Sequence, residues 1–318
     1  HPQHLGRCAG RPQRRRRAAG LTMSGTVAYA KRSVRSKDGT TIGFRQMGRG
    51  PAIVILHGGA LASQHYMKLG SALADEFTVC IPDRRGRGMS GPYGSNYSIE
   101  SEDEDLAPVI ADTGARCGFG TADGGLLALH GSVAISEIRK VAVLEPVIFV
   151  GQPGLDEFTK TIDRGEALMA RGDIAGAMSS LAADAGNDPR TQAVSPLYRL
   201  LGRMFTSPIA CRAVLSLDAL AARGDNVALR DLVPALIPEL QQVKATEGTI
   251  DYYRNVTAEC LLMCGADAPP LFTGTQDALL QVLPNATQLV LPGLNHGAAQ
   301  DQGGDPVVIA DRLKQFFT

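Results

Sequence analysis

The chain has 318 residues, 44% of them hydrophobic and 20% charged, enough to bury one large α/β core or a core carrying an inserted cap. Its formal net charge is zero and no apolar run approaches the ~20 residues of a membrane span, so composition argues for neither nucleic acid nor a membrane as partner. The six cysteines, Cys8, Cys80, Cys117, Cys211, Cys260 and Cys264, lack the paired spacing of a zinc site or a disulfide framework and read as free thiols of a cytoplasmic protein with no metal site.

Residues 1–22 stand apart. Arg11-Pro12-Gln13-Arg14-Arg15-Arg16-Arg17 is a basic block with no apolar period and no apolar stretch after it, so it reads as a disordered leader rather than a secretory signal, with Met23 a candidate start. A hairpin follows. Residues 31–36 and 41–47 flank Lys37-Asp38-Gly39-Thr40, and Asp-Gly is a strong turn signal. Ala52-Ile53-Val54-Ile55-Leu56 is a continuous apolar strand of the kind found inside parallel sheets. It runs into His57-Gly58-Gly59, with a helix expected over 61–74. The strand 77–82 ends at Asp83 and leads to Arg84-Arg85-Gly86-Arg87-Gly88-Met89-Ser90-Gly91, a loop that Asp83 and Arg84 are expected to pin.

The stretch 98–113 reads as a helix whose carboxylates favour its positive N-terminal end. Its run Glu100, Glu102, Asp103, Glu104 and Asp105 reads as a solvated face. A strand over 116–120, a helix from 123, and a strand over 138–144 closing at Glu145-Pro146 continue an alternation that argues for a parallel sheet. From 147 to 256 the period becomes helical, with helices expected over 157–171, 174–185, 196–204, 209–222 and 229–242. The sheet resumes at 260–264. A helix over 276–283, a strand over 288–291, Asn295-His296-Gly297 and an amphipathic helix over 306–317 end the chain.

The residues that carry chemistry begin with Gly118-Phe119-Gly120-Thr121-Ala122-Asp123-Gly124-Gly125. Here a short strand turns into a small-residue helix, a junction so tight that glycines are needed on both sides. Together with His57-Gly58-Gly59, Asp83…Gly86-Arg87-Gly88 and a histidine between the last strand and the last helix, this order from about 31 to 318 resembles the α/β-hydrolase superfamily. The eight-residue stretch is similar to its nucleophile elbow, Gly-x-Ser-x-Gly, with Ala122 where the serine would stand.

The resemblance implies an α/β-hydrolase fold: a mostly parallel eight-stranded sheet with helices on both faces and an inserted all-helical cap. The core would be 23–146 and 257–318, and the cap 147–256. It implies no cofactor, and a small hydrophobic ester or lactone as the bound partner; a homo-oligomer stays open. It places the nucleophile position at Ala122, the general base at His296, and oxyanion donors at the backbone of Gly59 or Ala60 and of Asp123. A register shifted by one would instead present Asp123 and put Thr121 at a glycine site.

For the acid that orients His296, two residues compete. Asp267 follows the strand 260–264. Glu145 follows the preceding strand, as in the zearalenone lactonases, and is the preferred reading. Gly58, His65, Met169, Tyr198 and Phe205 are the expected substrate contacts, with Met178 and Met204 adding to an aliphatic lining. Ala122 admits two explanations: a serine hydrolase of esters or lactones, zearalenone being the most specific guess, carried as an inactive alanine form, or a non-hydrolytic ligand-binding protein or cyclase. Losing one member of such a triad costs on the order of a million-fold in turnover.

Overall fold

The hairpin is the first element of the sheet. Strand β1 (Ala30–Arg35) pairs antiparallel with β2 (Thr41–Gly48). Gly39 takes φ 87° at the turn, and the Asp38 carboxylate accepts the Thr40 N–H at 2.8 Å. The structure, a computed structural model, describes residues 27–151, 155–186 and 206–318; the basic leader and the helix expected over 196–204 lie outside them.

Strands β3 (Ala52–Leu56), β4 (Thr78–Pro82), β5 (Cys117–Thr121), β6 (Lys140–Leu144), β7 (Glu259–Gly265) and β8 (Ala286–Leu291) complete an eight-stranded sheet of order β1-β2-β4-β3-β5-β6-β7-β8. Only the β1/β2 and β2/β4 pairs are antiparallel; the others are parallel. Because successive strand residues point to opposite faces, β3 sends Val54 and Leu56 to one core and Ile53 and Ile55 to the other. In the same way β6 divides Val141 and Val143 from Ala142 and Leu144. Apart from Lys140 at the start of β6, these strands are apolar because both faces are covered.

Helices α2 (Ile99–Thr113), α3 (Asp123–Ala134) and α8 (Pro270–Val282) supply Leu106, Leu127 and Leu279 to the first core. Helices α1 (Met67–Leu73) and α9 (Pro306–Phe317) supply Leu69, Leu313 and Phe317 to the second. The helix expected over 61–74 is split: Ser63–Tyr66 is a 3-10 turn, and α1 starts only at Met67. The cause is local, since the Asp83 carboxylate accepts both the Ser63 N–H (2.8 Å) and its hydroxyl (2.6 Å) and draws that turn in.

Between β6 and β7 the described residues hold helices and no strand: α4 (Leu155–Ala170), α5 (Ile174–Gly186), α6 (Pro208–Ala221), α7 (Leu229–Lys244) and a 3-10 turn, Ile250–Asn255. They have a small core of their own, Ala175, Cys211, Leu215 and Val233, with Met169 and Met178 packed on it. Among the described residues no helix is long and apolar enough to cross a membrane.

Candidate active site

Four parallel strands, β5 to β8, end side by side, with Thr121 opposite Leu144, Leu144 opposite Met263, and Gly265 opposite Leu291. Their next residues therefore gather at one edge of the sheet, the usual place for function in open α/β folds. Ala122 is the junction between β5 and α3, with φ 52° and ψ −123°. Its N–H donates to the Leu144 carbonyl (3.1 Å) and its own carbonyl accepts the Gly125 N–H (3.0 Å). A Cβ at Gly120 would lie 2.1 Å from the Gly124 oxygen, and one at Gly124 would lie 2.4 Å from the His57 oxygen. Glycine is thus obligatory on both sides. A Cβ at Gly58 would stand 3.4 Å from that of Ala122, which puts Gly58 beside the apex.

Ala122, not Asp123, holds the left-handed position. Asp123 is the first residue of α3, and its buried carboxylate turns to Arg84, with Nη1 to Oδ2 at 2.5 Å. That ion pair, rather than exposure at the apex, accounts for the Asp123 side chain.

His296 follows β8, and its Nδ1 lies 2.8 Å from Oε2 of Glu145. Glu145, just past β6, also has positive φ (48°) and is 1% exposed. Its other oxygen accepts the Gly265 N–H at 3.0 Å. With the carboxylate on Nδ1, the imidazole presents Nε2 outward. Phe272 of α8 stacks on the ring at 4.5 Å between centroids and 15° between planes. Asp267 is exposed, and no hydrogen bond joins it to His296 among the described residues.

The loop after β3 supplies the other wall. The Ala60 N–H is engaged by Glu239 of α7, at 3.1 Å from Oε2. Neither the Gly59 nor the Asp123 N–H has a protein acceptor among the described residues. His57 is fully buried between the two loops; its Nε2 accepts the Arg84 N–H (3.2 Å), so Nδ1 carries the hydrogen and donates to the Gly58 carbonyl (3.0 Å). Burial first, then the positive charges of Arg87 and Arg84, hold its pKa well below the ordinary 6.5.

The acidic run of α2 is a correction to the sequence reading. Glu102, Asp103 and Asp105 are buried. Glu102 pairs with Arg84 (3.1 Å), Asp105 with Arg85 (2.6 Å) and Asp103 with His130 (2.7 Å). Positions 102 and 105 lie three apart on one helix face, and that face meets the arginine loop instead of water. Burial works against a charged Arg84, yet Glu102 and Asp123 carry its pKa above the ordinary arginine value.

The remaining expected contacts are dispersed. His65 sits in the 3-10 turn with Nδ1 at 3.0 Å from the Ala62 nitrogen, and burial lowers its pKa. Met169 packs in the small core of the helical segment. Tyr198 and Phe205 lie outside the described residues. Glu239 and Phe272 escaped the sequence reading, which holds Arg87 only as part of its loop: a glutamate between apolar residues of an amphipathic helix carries no local sign of burial. A cavity of about 720 Å3 between α2, α3 and α7, lined by Tyr97, His130 and Tyr252, borders neither Ala122 nor His296. Among the described residues no group of three or more His, Cys, Asp or Glu is placed to hold a metal.

A profile described as the alpha/beta hydrolase family matches residues 53–311. The 2-(acetamidomethylene)succinate hydrolase of Mesorhizobium japonicum is 25% identical over 265 residues, covering 80% of this chain and 85% of that one. A pimeloyl-[acyl-carrier protein] methyl ester esterase of Stenotrophomonas maltophilia is 28% identical over 143 residues, 39% of this chain and 54% of the esterase. Among solved structures, an α/β hydrolase from Sphaerobacter thermophilus DSM 20745 superposes with a TM-score of 0.69 at 27% identity, over 90% of this chain and 100% of that one. An esterase from Rhodococcus sp. ECU1013 superposes at 0.60 with 20% identity, over 90% and 98% of the two chains, a likeness of fold. The chain belongs to the α/β-hydrolase family.

Proposed function

We propose that this member of the family is the alanine form of a serine hydrolase acting on a hydrophobic carboxylic ester or lactone. The observation that carries the reading is the buried Glu145 carboxylate on Nδ1 of His296, at the same sheet edge as the left-handed Ala122. A carboxylate–imidazole pair beside an elbow apex is what a serine at that apex needs.

With serine at 122, its Oγ attacks the acyl carbon while His296 takes the hydroxyl proton on Nε2. Glu145 holds the ring in one tautomer and stabilises the imidazolium. The N–H groups of Gly59 and Asp123 receive the developing oxyanion. His296 returns the proton to the leaving alcohol, and a water then repeats the sequence in reverse to free the acid. The alanine chain keeps the acid, the base and the donors, so it binds substrate and leaves it uncleaved.

The segment 147–256 acts as the cap, with Gly58 and His65 on the core side of the site. Its apolar side chains suit a neutral ester or a macrolactone, and the position of Glu145 supports zearalenone as the first substrate to try. Asp267 is a bystander. The reading places the protein in the cytoplasm, with no metal, cofactor, nucleic acid or membrane required. Ala122 itself favours a second reading, a non-hydrolytic ligand-binding protein or cyclase. Assays of Ala122→Ser on p-nitrophenyl esters and zearalenone separate the two: hydrolysis supports the first, and tight binding without turnover supports the second.

A further inference from the structure

Ala60 and Asp123 lie on different loops, yet one chain of contacts joins them. The Ala60 N–H donates to Oε2 of Glu239 at 3.1 Å. Oε1 of Glu239 meets the Arg87 guanidinium and lies 3.3 Å from Nη1 of Arg84. The same Nη1 holds the Asp123 carboxylate at 2.5 Å. Glu239 is 1% exposed and comes from α7, in the helical segment and not in the sheet core.

Ala60 has φ 53°, a conformation that a residue with a Cβ keeps only where its surroundings over-determine it. Its amide hydrogen bond to a charged acceptor is one such constraint, and charge-assisted bonds are the stronger kind. This bond fixes the Gly59–Ala60 peptide plane and so one side of Gly59, leaving only the Gly59 dihedrals between it and the Gly59 N–H, which has no protein acceptor among the described residues. Contact around Gly59 is close: a Cβ there would stand 2.8 Å from Leu236, 3.3 Å from Glu239 and 3.5 Å from Asp123. The second wall is Asp123, oriented through Arg84.

We infer that Glu239 is a positioning residue for the oxyanion hole, a carboxylate from the helical segment that ties the Gly59–Ala60 loop to the elbow and completes the hole only when α7 is docked. This rests on Gly59 and Asp123 being the oxyanion donors. Docking of α7 and competence of the hole are then one event. A substrate that lifts α7 loosens the donors, and one that lets it reseat restores them.

The test uses Glu239→Ala, Glu239→Gln and the double variant R87M/E239M, which removes both charges while keeping side-chain volume. Each is made in the Ala122 chain and in its Ala122→Ser form. In the serine form, E239A and R87M/E239M should lower kcat on p-nitrophenyl esters about 10- to 100-fold with KM held within about threefold, less than outright loss of a donor. E239Q, which keeps an oxygen acceptor for Ala60, should recover most of that loss. In the alanine form, backbone hydrogen exchange across residues 58–62 should quicken at least about tenfold in E239A and R87M/E239M while β5 and α3 stay protected. Parental kcat together with parental exchange in R87M/E239M would overturn the inference. If the serine parent hydrolyses no ester, the proposed activity fails by itself, and the exchange measurement still decides the role of Glu239.

Discussion

Glu145 and His296 lie 151 residues apart in sequence and 2.8 Å apart in space. Parallel pairing of β6, β7 and β8 brings the ends of those strands together. Positive φ at Glu145 turns its side chain back into the protein, where the Gly265 N–H holds the second oxygen. The pair predicts which carboxylate matters. In the Ala122→Ser chain, Glu145→Gln should lower kcat by about 10⁴-fold through the wrong imidazole tautomer, and Asp267→Asn should change it less than about threefold. Steady-state kinetics of the two variants side by side are the check.

The elbow glycines make a stability prediction with an internal control. A Cβ at Gly120 or Gly124 meets backbone oxygen at 2.1 or 2.4 Å, whereas at Gly118 nothing lies within 4 Å. Gly120→Ala and Gly124→Ala should each cost about 3 kcal/mol or more. Gly118→Ala should be neutral or slightly stabilising. Urea unfolding midpoints of the three variants report this directly.

Ala122 sits at φ 52° and ψ −123°, where a side chain is strained and glycine is not. Ala122→Gly should therefore stabilise the protein by about 1 kcal/mol without restoring any activity. A melting temperature that falls in this variant would mean that the turn is not held in the strained form.

His57 gives a pH dependence. Its folded pKa lies well below 6.5 because the ring is buried beside Arg84 and Arg87, and both nitrogens are used by the neutral tautomer. Below pH 6.5 the unfolded chain takes up a proton that the folded chain refuses. Stability from this group is therefore complete above that pH and declines as pH falls, by up to about 1.4 kcal/mol per unit. His57→Gln should flatten the slope by about one proton in chemical denaturation between pH 6.5 and 5, whatever it does to stability at pH 8.

Much of this architecture was legible in the chain. Apolar runs such as 52–56 and the glycines around Ala122 speak through local chemistry, because a doubly covered strand and a tight turn each need particular residues at particular positions. The charges were harder to read. Glu102 and Asp105 look like a solvated face until the arginine loop is seen packed over them. Glu239 is one polar residue of an amphipathic helix, and only the docking of α7 on the loops after β3 and β4 gives it partners. Between Glu145 and Asp267, which both follow parallel strands, the sequence prefers Glu145 through the family resemblance, and the contact of Glu145 with His296 is what the third dimension adds. Tyr198 and Phe205 lie outside the described residues.

The most direct measurement is the turnover of Ala122→Ser. If the proposed reading holds, a hydroxyl at this apex should hydrolyse p-nitrophenyl butyrate at least about 10⁴-fold faster than the alanine chain, and intact-protein mass spectrometry should catch an acyl group on residue 122. A correctly folded serine variant that releases no p-nitrophenol, forms no acyl adduct and leaves zearalenone intact would contradict the account.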